Sequence, residues 1–184
     1  MKKALIIIDF INDIISPEWK LAGKWYAKFA LENNIISNTN EKIKEFKKNW
    51  DLIIFVKITF KQDYSNQPKN SPLFWKANEF EIFKENSEWN NFYKELNILE
   101  SDIIINKTRV SAFYKTELEN ILKENNISDL YFCWVATDLA IESAVREWHD
   151  RDYNCFILEK CCVAWDIETH KNSLKNLEKI SKII

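Results

Sequence analysis

Five short apolar runs recur along the chain, at residues 4–8, 52–58, 103–106, 130–134 and 155–158. Stretches between them carry apolar residues at helical spacing, as Ile35, Ile36, Ile43 and Phe46 do within residues 34–49. An apolar run without polar alternation suits a strand covered on both faces, and parallel strands of that kind need a crossover to return the chain. The pattern predicts an α/β protein, a three-layer α/β/α arrangement around a mostly parallel, doubly wound sheet of five or six strands. Further helices are predicted at about residues 115–124, 138–150 and 169–181. Residues 59–101 interrupt the alternation. Pro68, Pro72 and aromatics without a period predict a long excursion with one short helix, of the kind that roofs a site.

In open parallel sheets, functional groups gather at the carboxyl ends of the strands. The first run ends in Asp9, the third in Lys107, and the fourth leads through Val135, Ala136 and Thr137 into a helix that carries Ala140 about one turn in. Asp9, Lys107 and Ala140 are therefore expected to meet in one crevice. A carboxylate at the end of a buried strand needs a partner. Lys107 is the obvious one, since unit charges about 4 Å apart attract by about 4 kcal/mol at an effective dielectric near 20. On these residues alone, a structural ion pair between strand ends remains the competing reading.

Asp9-Phe10-Ile11-Asn12-Asp13, then Lys107-Thr108-Arg109-Val110-Ser111-Ala112-Phe113 with Thr116 and Leu118, then Val135-Ala136-Thr137-Asp138, follow one another in a recognisable order. In order and spacing they resemble the three signature blocks of the isochorismatase-like cysteine hydrolases. A later block, Cys162-Val163-Ala164-Trp165-Asp166 with His170 and Leu174, resembles the family's last strand and closing helix, so the likeness covers nearly the whole chain. The resemblance implies a hydrolase of amidohydrolase type, cleaving an amide or related C–N bond of a small molecule. It places Asp9 and Lys107 in the catalytic set, Ala140 at the nucleophile position, and Ala136 with Ala140 at the oxyanion hole, where a helix start directs N–H groups at a bound carbonyl. It also implies a cis peptide between Val135 and Ala136.

The chain departs from that pattern at Ala140, where the family has its cysteine. It departs again at Ile11, where an amide side chain is usual, and at Trp134 and Lys115, both usual glycine positions. Three readings of Ala140 stand open. The leading one is a hydrolase disabled by a Cys-to-Ala change. The second is a natural vinyl-ether hydrolase of the isochorismatase type with Asp9 as acid, a role that an adjacent ammonium opposes. The third is a pseudoenzyme that keeps the pocket as a binding or interaction module.

Phe10, Trp25, Trp75, Phe113 and Trp134 flank the motif blocks or lie in the roofing segment, and they are expected to wall a pocket for a small, neutral or weakly polar substrate. Phe74, Phe80 and Phe83 are further wall residues or, equally, satellite packing. Asp13 is expected to fix its loop, Thr137 and Asp138 to cap a helix, and Glu142 with Arg146 to form a surface pair. His149 and His170, the two histidines of the chain, are expected at the surface or in helix packing. Zinc-dependent members of the family use an Asp and two His in the second crossover. Residues 60–72 offer Asp63 and no histidine, so neither a metal nor another cofactor is expected.

Basic and acidic residues, 26 and 28, are interspersed for a net charge of -2, which leaves no nucleic-acid footprint and no polybasic membrane patch. No apolar stretch approaches the roughly 20 residues that span a bilayer. The four cysteines lack the spacing of a disulfide framework or metal site and the N-terminus lacks a signal peptide's apolar region, which together predict a reduced cytoplasmic protein. A chain of 184 residues is expected to form one domain over 1–184. It has a single glycine, so Asn, Asp, Lys or Trp must make the tight turns. Its eight Trp, twelve Phe and six Tyr supply apolar material for the homodimer or higher homo-oligomer that the resemblance implies.

Overall fold

The computed structural model describes residues 2–18 and 26–184. Strands β1 (Lys2–Ile8), β2 (Leu52–Ile58), β3 (Ile103–Lys107), β4 (Ile127–Val135), β5 (Asn154–Val163) and β6 (Lys182–Ile183) form one sheet in the order β3-β2-β1-β4-β5-β6. Every pairing is parallel. The helices are α1 (Asn12–Ile15), α2 (Tyr26–Glu32), α3 (Ile35–Lys48), α4 (Leu118–Glu124), α5 (Glu142–His149) and α6 (Ile167–Leu177).

Leu5, Ile6, Ile7 and Ile8 on β1 are wholly buried, as a strand covered on both faces requires. Two neighbours on β4 identify the covering layers. Tyr131 meets Phe46 of α3 at 5.3 Å between ring centroids, and Phe132 meets Trp148 of α5 at 3.9 Å. Successive strand residues point to opposite faces, so α3 and α5 lie on opposite sides of the sheet. The result is the three-layer α/β/α arrangement. Strand order reverses between β1 and β4, the switch point at which such sheets open a crevice.

The glycine-poor turns follow the expectation. Asn34, Trp50, Asn86, Lys115, Asn126 and Asp152 all take left-handed backbone, with φ between 53° and 65°. Lys115 also explains why α4 begins at Leu118 and not at the predicted 115, because a left-handed residue cannot continue a right-handed helix. At the other end of the chain, α6 starts two residues earlier than predicted. Asp166 caps it by accepting the Thr169 N–H at 2.7 Å. Three elements were not anticipated, namely α1, α2 and the two-residue β6. Strand β5 also runs on to Val163 through an irregularity in its pairing with β4.

Residues 59–101 form the long excursion, with one 3₁₀ turn at Glu88–Asn90. They hold a small apolar core of their own, in which Phe60, Tyr64, Phe74 and Ala77 pack with Ile11 and Ile58. Among the described residues, no helix is long and apolar enough to cross a membrane.

Candidate active site

Asp9 follows β1 directly in left-handed backbone, φ 62°, with its N–H on Val56 O at 2.9 Å. That geometry turns the carboxylate across the strand ends. Its Oδ1 accepts the Ile58 N–H at 2.8 Å, and its Oδ2 lies 2.7 Å from Lys107 Nζ. Lys107, the last residue of β3, is 2% exposed. Its ammonium also donates to Arg109 O and Val110 O, both at 3.3 Å, which accounts for all three of its protons. The Trp134 ring lies 5.6 Å from Nζ and supplies a π face beside the charge.

Strand β4 ends in a cis peptide between Val135 and Ala136. A π turn, Thr137–Ile141, then leads into α5. Ala136 O accepts two N–H groups, from Ala140 at 3.0 Å and from Ile141 at 3.2 Å. The Ala140 N–H is thus already engaged, and a carbonyl bound at the expected oxyanion position would share it.

Asp9, Lys107, Ala136 and Ala140 all line one cavity of about 250 Å³. Its walls are Ile14, Tyr26, Ile58, Leu73, Phe74, Ile82, Phe83, Val110 and Val135, and Asp13 is its remaining polar residue. Most of the predicted walls are elsewhere. Phe10 and Trp134 are wholly buried in the main core and do not line the cavity. Phe113 packs on Trp148 with ring centroids 5.5 Å apart. Trp75 is 53% exposed with Lys76 over its ring, while its neighbour Phe74 turns inward. Phe80 also stays outside, and Trp25 lies outside the described residues.

Asp13 does more than fix its loop. It is buried, its Oδ2 accepts the Phe83 N–H at 2.7 Å, and its Oδ1 has no hydrogen-bond partner. Burial pushes its carboxyl from the ordinary 3.8 up to about 6, against the opposing effect of the Phe83 N–H. The folded chain therefore keeps this proton between about pH 4 and 6, where the unfolded chain has released it. The resulting stability is complete below pH 4 and is lost as pH rises through 6. A shift of about two units corresponds to roughly 3 kcal/mol. Asp13→Asn, which cannot ionise, should gain on the parent by up to that amount between pH 4 and 7.5. Urea unfolding at both pH values measures it, and an advantage that does not grow with pH would refute it.

Thr137 is not a helix cap. Its hydroxyl is buried and donates to Val163 O at 3.0 Å, with His170 Nδ1 at 2.9 Å. Glu142 and Arg146 do pair, at 3.7 Å.

The Isochorismatase domain model matches residues 3–184. The chain belongs to the isochorismatase family. The uncharacterized isochorismatase family protein YecD of Escherichia coli O157:H7 is 26% identical over 95% of this chain and 86% of its own length. The ureidoacrylate amidohydrolase RutB of Acinetobacter baylyi is 29% identical over 66% of this chain and 56% of its own. In fold, the nicotinamidase PncA of Bacillus subtilis superposes with a TM-score of 0.76 at 24% identity, covering 97% of this chain and 95% of that one. The protein is thus an isochorismatase-family hydrolase.

The zinc site that the family resemblance brings with it does not fit this chain. Asp63, its one matching residue, is exposed and accepts the Ser65 N–H of its own turn at 2.9 Å. Among the described residues, no three His, Cys, Asp or Glu side chains converge to hold a metal ion.

Proposed function

We propose that this isochorismatase-family protein is a small-molecule amide hydrolase without the nucleophilic cysteine, which binds its substrate over Asp9 and Lys107 with Ala140 at the nucleophile position. The observation that carries the reading is that a buried carboxylate–ammonium pair and Ala140 share one largely apolar cavity. The walls suit a small, neutral or weakly polar molecule. The likeness to RutB, a ureidoacrylate amidohydrolase, and to PncA, a nicotinamidase, supports C–N bond chemistry.

With a thiol at position 140, the sulfur would attack the amide carbonyl while Asp9 takes its proton and returns it to the leaving amine. The N–H groups of residues 136 and 140 would hold the oxyanion. Water would then hydrolyse the thioester. The present chain lacks the atom that starts this sequence and keeps the groups that surround it. The vinyl-ether reading is less well served, since it needs Asp9 to enter the reaction already carrying a proton, beside an ammonium 2.7 Å away.

The test is a panel of small neutral carboxamides, with isochorismate beside them, given to the chain and to its Ala140→Cys variant. Amine release by the variant alone supports the proposal. Isochorismate cleavage by the unaltered chain, or amide-inert behaviour of both proteins, sinks it. We further propose a cytoplasmic homo-oligomer, for which exposed Trp50, Trp75 and Trp165 offer contact surface. Only a monomer-sized species in light scattering at micromolar concentration would contradict the assembly.

A further inference from the structure

His170 is a buried titratable group that the catalytic scheme does not use. It sits on α6 at 4% exposure, with the Phe29 ring 5.7 Å away and Glu159 Oε1 4.0 Å from its Nε2. Its Nδ1 lies 2.9 Å from the Thr137 hydroxyl, which itself bonds Val163 O at 3.0 Å. A hydroxyl has one proton and two lone pairs. With that proton on Val163 O, Thr137 can only accept from the ring, so Nδ1 carries the hydrogen and Nε2 faces Glu159. Burial lowers the His170 pKa while Glu159 opposes the shift, which keeps the ring neutral at ordinary pH.

Thr137 opens the π turn in which Ala136 O takes the N–H groups of Ala140 and Ile141. This one side chain therefore ties the turn to the end of β5 and, through the imidazole, to α6. We propose that His170 is a positioning residue for the cavity turn, holding Thr137 through its Nδ1–H and so fixing where residue 140 stands beside Asp9 and Lys107. The functional importance of that position rests on the reading given above; the hydrogen-bond chain itself does not.

The test begins on the chain as it is. Long-range ¹H–¹⁵N spectra of the histidine rings should show His170 as the Nδ1–H tautomer, and an Nε2–H tautomer overturns the proposal. Hydrogen exchange then reads the turn. His170→Phe fills the space without a donor, and Thr137→Val removes the hydroxyl with little change of shape. Each should speed exchange of the Ala140 and Ile141 amides roughly tenfold, the scale of one lost buried hydrogen bond, and the two should not add. His170→Asn, which keeps a side-chain N–H near the Nδ1 place, should preserve protection. Unchanged exchange in His170→Phe, or equal loss in His170→Asn, reduces the residue to packing and overturns the proposal. Should His170→Phe fail to fold, the ring tautomer and the exchange of His170→Asn decide the same point, since Thr137→Val also removes the bond to Val163 O.

In the Ala140→Cys background, His170→Phe should also move the pH profile of iodoacetamide labelling at position 140 toward that of a free thiol, near pKa 8.5. An Ala140→Cys protein that hydrolyses no amide sinks the proposed activity and leaves the exchange result readable. Unchanged exchange sinks the positioning role whatever the activity.

Discussion

Ala140→Cys is expected to raise the rate of amide hydrolysis on the order of a millionfold over the unaltered chain. That is the scale on which a nucleophile and its base act together in a well-studied hydrolase, roughly 8 kcal/mol of transition-state stabilisation. The gain depends on partners that are already in place. Asp9 stands on the cavity floor with its carboxylate held by Ile58 N–H and Lys107, and Ala140 opens on the same space. Adding Asp9→Asn or Lys107→Ala to Ala140→Cys should each remove most of the gain, and adding both should cost little more, because the three groups work as a unit. A sequence of independent, additive losses in kcat/KM would contradict this account. So would an Ala140→Cys thiol that labels no faster in mildly acidic buffer than Cys133, Cys155, Cys161 or Cys162. All four of those are buried, and burial pushes Cys155 up to about 12.

Lys107→Met should be the most destabilising single change at the site. Replacing the ammonium by an apolar chain leaves Asp9 in a pocket where it is 4% exposed and has lost its 2.7 Å partner. Breaking one side of a buried pair costs about 3–5 kcal/mol, most of it the stranded charge. Asp9→Asn on top of Lys107→Met removes that charge and should recover a large part of the loss. The recovery is what separates an electrostatic cost from simple loss of packing. Urea midpoints of the parent, both single variants and the double variant measure it, and a Lys107→Met loss below about 1 kcal/mol, within the range of an exposed pair, would contradict the assignment.

The parts of this molecule that could be read from sequence are those where one local pattern has one physical solution. An apolar run followed by a carboxylate, as at residues 5–9, suits a buried strand whose end needs a charged partner, and the structure places Asp9 and Lys107 together accordingly. Other elements gave no comparable signal. Helix α2 is short and β6 has two residues, too few for a period to register. The roof posed a different difficulty. Phe74 and Trp75 are adjacent, equally apolar and outside any regular element, and only the tertiary fold decides that Phe74 turns in and Trp75 turns out. Its place after the first strand gives Asp13 the look of a loop-fixing residue. Its second relation, to the cavity, depends on Phe83, seventy positions away. Thr137 has the residue type of a cap and the surroundings of a buried bridge, and those surroundings come from β5 and α6.

The roofing segment has an energetic identity apart from the sheet. Phe60, Tyr64, Phe74 and Ala77 pack with Ile11 and Ile58 in a cluster distinct from the main core, and Phe74 with Ile58 also faces the cavity. Segments with their own small core open at a free-energy cost well below that of global unfolding. If a ligand passes through this roof, its entry and escape fall to Phe60, Tyr64, Phe74 and Ala77, none of which lies in the six strands. Substitutions among those side chains can lengthen or shorten the occupancy of the cavity while the sheet that aims Asp9 and Lys107 stays as it is.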